Sequence, residues 1–358
     1  MDPSNLIPSI EAIPAPAWIF LVLNVLTFIL HILLMNIILG GSLLILFSRL
    51  GKSEAGLEGS FHGSIVGKLP SSFALTVNLG IAPLLFVQVI YGHLFYTSSV
   101  LMAIYWILII PLLIIAYYGA YIHFKRYSMT LLSKVALFIS SLILIYIAFV
   151  FVNNMTLMLQ PEKWHEYFNH RGGTILNWTD STFLPRYLHF LTASVAVAGL
   201  FAALVWWIRS KKNIPNSEEK IKIGLKIFGI ATAIQIIIGF WFLLALPSDF
   251  ILQFMGQNLL YTIFLFVGIL FGIGAMILAF LNKFIPTVIH LLVTVILMAI
   301  TRANLRSLYL DDVFQLNSLQ LSPQYGVMVL FFLTFIIGLG AVAYMLKISN
   351  TAKEGRVK

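Results

Sequence analysis

Five histidines fall within or at the edge of long apolar stretches of this chain: His31, His93, His123, His189 and His290. A neutral imidazole can bind haem iron or a metal through one ring nitrogen while the other holds a hydrogen bond. For any one of the five the competing role is a structural hydrogen bond. His62, His165 and His170 sit in polar segments and read as solvated side chains. No acid accompanies the five. All 13 Asp and Glu, from Asp2 to Glu354, fall in tails or loops. Ionisable groups inside a bilayer are costly and mark function. A chain without a buried carboxylate lacks what a proton-coupled pump uses to load and release protons, and it cannot ligate an intramembrane metal through carboxylates. With no cysteine there is no disulfide frame, thiolate site or covalent c-type haem. Several imidazoles without acids favour ligation of a cofactor.

The elements that must position these groups follow from composition. Of 358 residues, 60% are hydrophobic and 10% charged, with a mean hydropathy of +0.97. No water-facing surface can be built from that. Nine apolar stretches are long enough to span a bilayer, at 18–47, 73–96, 101–123, 131–153, 187–208, 223–246, 254–281, 286–303 and 326–346. The expected fold is all-α, a single polytopic bundle over 1–358, with a five-helix part at 18–208 and four further helices at 221–346. With the N-terminus outside, 17 Lys and Arg lie on inner segments and five on outer ones, which predicts N-out, C-in. The same bias accounts for the net charge of +9 without a nucleic-acid partner. The segment "MDPSNLIPSIEAIPAPA" lacks a basic n-region, so no cleavable signal peptide is expected. Two long polar segments, 160–186 and 302–324, fall on the predicted outer face, where a partner is expected.

Depth sorts the candidates. His189 lies just inside the fifth span and His93 just before the outer end of the second, so the two share a level. His31 is about midway down the first span. His123, beside Lys125 and Arg126, reads as interfacial, and His290 lies near the inner face. Met255, opening the seventh span, is a possible sixth ligand, and Gln88, Tyr91 and Tyr96 are positioned to line a haem or quinone cavity. Arg186 and Arg302, at outer span ends, either snorkel to the interface or pair with haem propionates. In the second case, Arg186 tethers the carboxylates while His189 takes the iron.

The first span, "LTFILHILLMNIILGGSLLIL", with His31 nine residues before Gly40, resembles the first helix of cytochrome bd oxidase subunit I, where that histidine is a haem ligand. "IAFVFVNNMTLMLQPEKW" is similar to the end of that family's fourth helix, supplying Asn153, Asn154, Met158, Gln160 and Pro161. His189 opens the next helix as the family's low-spin haem ligand does, and "IAPLLF" is similar to part of its second helix. The likeness covers roughly residues 20–208. The departures are chemical. The second helix reads "PLLFVQVIYGHLFYTSS", without the family's glutamates. "AITRANLRSLY" keeps Arg302 but places Ala299 where the family has a haem-ligating acid. The long quinol-binding loop is reduced to "PSDFILQ".

Dioxygen reduction consumes four protons, and a path stripped of carboxylates argues against it. The resemblance therefore implies a divergent, non-oxidase member of the superfamily. Such a subunit would hold two or more haems b, with His189, His31 and His93 as iron ligands. It would pass electrons between quinone and a c-type cytochrome, multihaem forms included, docked on the outer face beside other membrane subunits in a bacterial or archaeal cytoplasmic membrane. Two readings compete with it: a cytochrome bd-type quinol:dioxygen oxidoreductase, and a cofactor-free scaffold or transporter with structural histidines.

Overall fold

The computed structural model describes residues 12–50, 60–125 and 130–355. Lys52, Arg126, Arg356 and Lys358, counted above among the inner cations, lie outside these. Among the described residues, nine helices are long and apolar enough to cross a membrane. They are α1 (Ala17–Leu50), α2 (Leu69–Leu101), α3 (Ala103–Lys125), α4 (Leu131–Met158), α5 (Phe183–Ser210), α6 (Ser217–Leu244), α7 (Leu259–Phe280), α8 (Phe284–Leu310) and α9 (Tyr325–Gly355). The chain is a multi-pass membrane protein. A bilayer interior cannot solvate peptide groups, so each crossing satisfies its backbone within one helix.

Short connections between α2 and α3, α5 and α6, and α7 and α8 make those neighbours antiparallel. One end of the bundle, here the loop end, carries residues 159–182 and 311–324. There Ile13 forms a parallel bridge with Leu321, and Ser322 N–H donates to the Ile13 carbonyl at 2.9 Å. The opposite, basic end carries Arg209, Lys211, Lys212 and Lys283.

The most extensive packing joins α5 to α6, followed by α1 with α2, α7 with α8, and α1 with α5. The five-helix and four-helix parts therefore share one continuous interface. Small residues set the close crossings, since apolar lipid leaves van der Waals fit as the main attraction between helices. A Cβ on Gly40 would lie 1.9 Å from the Ser194 carbonyl oxygen, and one on Gly224 would lie 2.6 Å from that of Gly199. These contacts bring α1 and α6 against α5. By contrast, α9 buries no residue of its apolar window.

Several helix ends run past the expected spans, and two of the differences bear on the site. The eighth span was expected to end at residue 303, but α8 runs on to Leu310. Its last turns carry Arg302, Asn304, Arg306 and Ser307, which depress hydropathy yet lie inside the protein. The seventh span was expected from residue 254, but α7 starts at Leu259. There Asn258 accepts hydrogen bonds from the N–H groups of Leu260 and Tyr261. A π-helical turn, Gln253–Gln257, precedes it, with Gly256 at φ +122°.

Gly40→Ala is expected to cost about 3 kcal/mol, the upper end for overpacking. The readout is the midpoint of thermal unfolding in detergent, and an unchanged midpoint would show that α1 and α5 can part freely.

Candidate functional site

A cavity of about 290 Å³ lies among α1, α5, α6, α7 and α8, close to the lower bound of about 300 Å³ for small-molecule sites. Periodicity explains who lines it. On α8 the lining residues Leu291, Thr294, Val295, Met298, Arg302 and Leu305 recur every three or four positions, a single helical face. On α5 the corresponding face carries Arg186, His189, Phe190, Ala193 and Val197. Gly239, Gly268 and Gly272, with Ala193, Ala275 and Ala299, leave the walls shallow. A Cβ on Gly239 would sit 3.4 Å from the His189 ring.

The polar groups of this apolar space are unusual in lacking partners. His189 is half-buried because its ring borders the cavity. The side-chain nitrogen of Gln235 lies 3.2 Å from its Nε2, while Nδ1 has no partner. An amide presents a donor or an acceptor according to its rotation, so Gln235 can hold either imidazole tautomer. Arg186 Nε, Asn36 Oδ1 and Thr232 Oγ1 are likewise buried without partners, and all three residues line the cavity. Buried polar atoms are nearly always paired, so a cluster of exceptions requires an explanation.

Three arginines converge at the loop end of this space. Arg186 and Arg302 line it, and Arg306 lies one turn beyond Arg302 on α8. Each guanidinium covers an aromatic face: Arg186 lies 4.9 Å from the Phe242 centroid, Arg302 4.6 Å from Phe28, and Arg306 5.0 Å from Tyr91. The Tyr309 side chain also lies near Arg186. Among the described residues, no carboxylate lies within 4.0 Å of any of them. Their charges are close enough to repel one another.

Asp180, the acid whose charge reaches Arg186, is already committed. Its carboxylate accepts hydrogen bonds from Gln160 Nε2 at 2.8 Å and from the Thr182 N–H at 2.9 Å, and Lys163 Nζ lies 3.6 Å away. Asn177 extends the network. It donates from Nδ2 to Gln160, accepts from Lys163 at Oδ1, and its N–H bonds Asn153 Oδ1. This tie fixes the 159–182 segment to the end of α4 and so sets where α5 begins. It is the physical role of Asn153 and Gln160.

The remaining predicted residues are not gathered here. His31 donates from Nδ1 to the Thr76 carbonyl at 3.1 Å and packs against Gly80 of α2, away from the cavity that Phe28, Ile32 and Asn36 of the same helix line. His93 lies beside Phe314, ring centroids 5.2 Å apart, with Nδ1 unpartnered. Gln88 is half-buried on α2 outside the cavity. Met255, expected to open the seventh span, sits on the π turn and is 42% exposed. Phe254 is the residue of that turn that faces inward. The methionine on the cavity wall is Met298, whose methyl rests against Gly268. His123 pins α3 to α4 through Ser133, and His290 bonds the Pro286 carbonyl within α8. No group of three or more His, Asp or Glu able to hold a metal ion occurs among the described residues.

Compared with known protein families, curated proteins and solved structures, the chain matches none. The site must be read from its own residues. Gln235, Met298 and Arg306 were missed in the sequence. A lone amide in the middle of "ATAIQIIIGF" was a visible signal for the first. Arg306 becomes legible only once α8 is known to continue past residue 303, while Met298 falls inside the expected span and is placed on the wall by helix packing alone.

Burial alone would raise the Asp180 carboxyl, but Thr182, Gln160 and Lys163 outweigh it and hold it below the ordinary carboxylate value. A pKa lowered on folding stabilises fully above the unfolded value of about 3.9, and that contribution is lost as pH falls through the folded value. Thermal unfolding midpoints of the wild type are therefore expected to fall on acidification in that window. Asp180→Asn is expected to be less stable at neutral pH and flatter across the window, and a parallel pH profile would disprove the assignment.

Proposed function

We propose that this chain is a haem b subunit of a membrane electron-transfer complex, working between the quinone pool and a c-type cytochrome. The observation that carries the reading is the cavity that joins an imidazole, His189, to two cavity-lining arginines without acidic partners. A charge taken out of water costs several kcal/mol unless it is compensated, so the site calls for an anionic ligand. Its walls call for a ligand that is otherwise apolar, and the glycines clear space for a flat one. Haem b meets all three demands, with an apolar ring, two carboxylates on one edge and an iron that binds imidazole.

In this reading His189 holds the iron and Gln235 sets the ring tautomer. Arg186 and Arg302 bind the propionates, and Tyr309 with the Asp180 network keeps Arg186 in place. Bound haem supplies one-electron transfer. The apolar walls exclude water, and among the described residues no acid lies in the apolar middle of the spans to deliver protons, which favours electron transfer over dioxygen reduction. The resemblance to cytochrome bd subunit I points the same way. His31 and His93 remain proposed ligands of further haem, each with an imidazole apart from this cavity. The proposed orientation is N-out, C-in, which puts the loop end, with the arginines, on the outer face of a bacterial or archaeal cytoplasmic membrane beside the c-type partner.

The purified protein is expected to show a Soret band and a haem b signature in its pyridine haemochrome spectrum. His189→Ala is expected to lose a low-spin haem signal while still inserting in the membrane, and Arg186→Gln or Arg302→Gln to lower haem occupancy. A colourless wild-type protein, or an unchanged spectrum in His189→Ala, would refute the proposal.

A further inference from the structure

We infer that Arg306 tunes the reduction potential of the haem proposed above, rather than holding it. The inference rests on that reading of the cavity.

Arg306 is buried, 4% exposed, and lies four residues beyond Arg302 on α8. Arg302 and Arg186 line the cavity; Arg306 does not. It is nevertheless near enough to repel both. Charge counting separates its role from theirs. Haem b has two propionates, and two cavity-lining arginines answer them. The third cation has neither a propionate to bind nor, among the described residues, a carboxylate within 4.0 Å.

Its partner is the ring of Tyr91, 5.0 Å away. A cation over an aromatic face is stabilised without being neutralised, so the positive charge persists inside the protein. The local backbone serves this contact. Tyr91 interrupts α2 with φ −120° and ψ 25°, and Phe314 packs edge-on against its ring at 5.6 Å. The Tyr91 ring is thereby held under Arg306 by a kink on one side and the 311–317 segment on the other.

A fixed cation of this kind acts on the redox equilibrium. With neutral axial ligands, ferric haem b with ionised propionates carries one net negative charge, and the ferrous form carries two. Both states are attracted by Arg306, the reduced state more strongly, and low local dielectric enlarges the difference. Arg306 therefore favours the reduced form. Removing its charge lowers the midpoint potential without removing a ligand or a propionate contact.

The test is a spectroelectrochemical titration of the purified full-length protein, with haem quantified on the same samples. Arg306→Gln is expected to retain haem content and band positions and to titrate at a lower potential. Arg306→Lys, which keeps the charge, is expected to stay close to the wild type. If the Gln variant does not insert, Arg306→Met, a flexible unbranched side chain without charge, carries the same comparison. An unchanged potential in the neutral variant, or loss of haem from it, would overturn the inference while leaving the haem reading intact. A haem-free wild type would overturn the reading first and the inference with it.

Discussion

Positive charge without a negative counterpart, held in a low-dielectric interior, is the constraint around which this molecule is organised. Arg186 and Arg302 line one end of an apolar cavity, with Arg306 a turn beyond, and among the described residues no carboxylate lies within 4.0 Å of any of them. Aromatic faces on three different helices ease the cost of each cation but leave the charge in place. On the proposed reading, that cost is met by an anionic ligand. The orphaned polar atoms of His189, Asn36 and Thr232 on the same walls make the same demand in hydrogen-bonding terms.

The rest of the bundle supports that receptor. Gly40 and Gly199 let α1 and α6 lie against α5 at backbone contact, which fixes the helix that carries both Arg186 and His189. The network from Asn153 through Asn177 and Gln160 to Asp180 fixes where that helix begins. Rigid placement matters because a ligand held by one imidazole and two cations is sensitive to the register of α5 against α8. On the proposed reading, the scarcity of intramembrane acids suits a site that passes electrons and leaves proton chemistry to its neighbours.

The membrane architecture was legible in the sequence to within a few residues for most spans, because burial in lipid requires unbroken apolar runs. Errors fell where polar residues are buried by protein. Hydropathy ended the eighth span at residue 303, since Asn304, Arg306 and Ser307 resemble a loop, whereas α8 continues to Leu310 and buries Arg306. Met255 looked like a span-opening ligand because an apolar run begins there, but Asn258 starts α7 later and the π turn directs Met255 outward. His189, Arg186 and Arg302 were recognisable as ionisable or ligating groups near span ends. The sequence reading grouped them at one expected haem site, and the structure brings all three to one cavity that His31 and His93 do not line.

The sequence by itself determined that this is an all-α, multi-pass membrane protein with no acid in the apolar middle of its spans, because those properties are sums over residue types. Which imidazole faces the cavity, and which arginines surround it, only the tertiary structure decided. Helices of similar hydropathy can be rotated or shifted by a turn at little cost in lipid. Their facing is settled by a few backbone contacts at glycine and by hydrogen bonds between segments far apart in the chain, and neither leaves a periodic trace in the sequence.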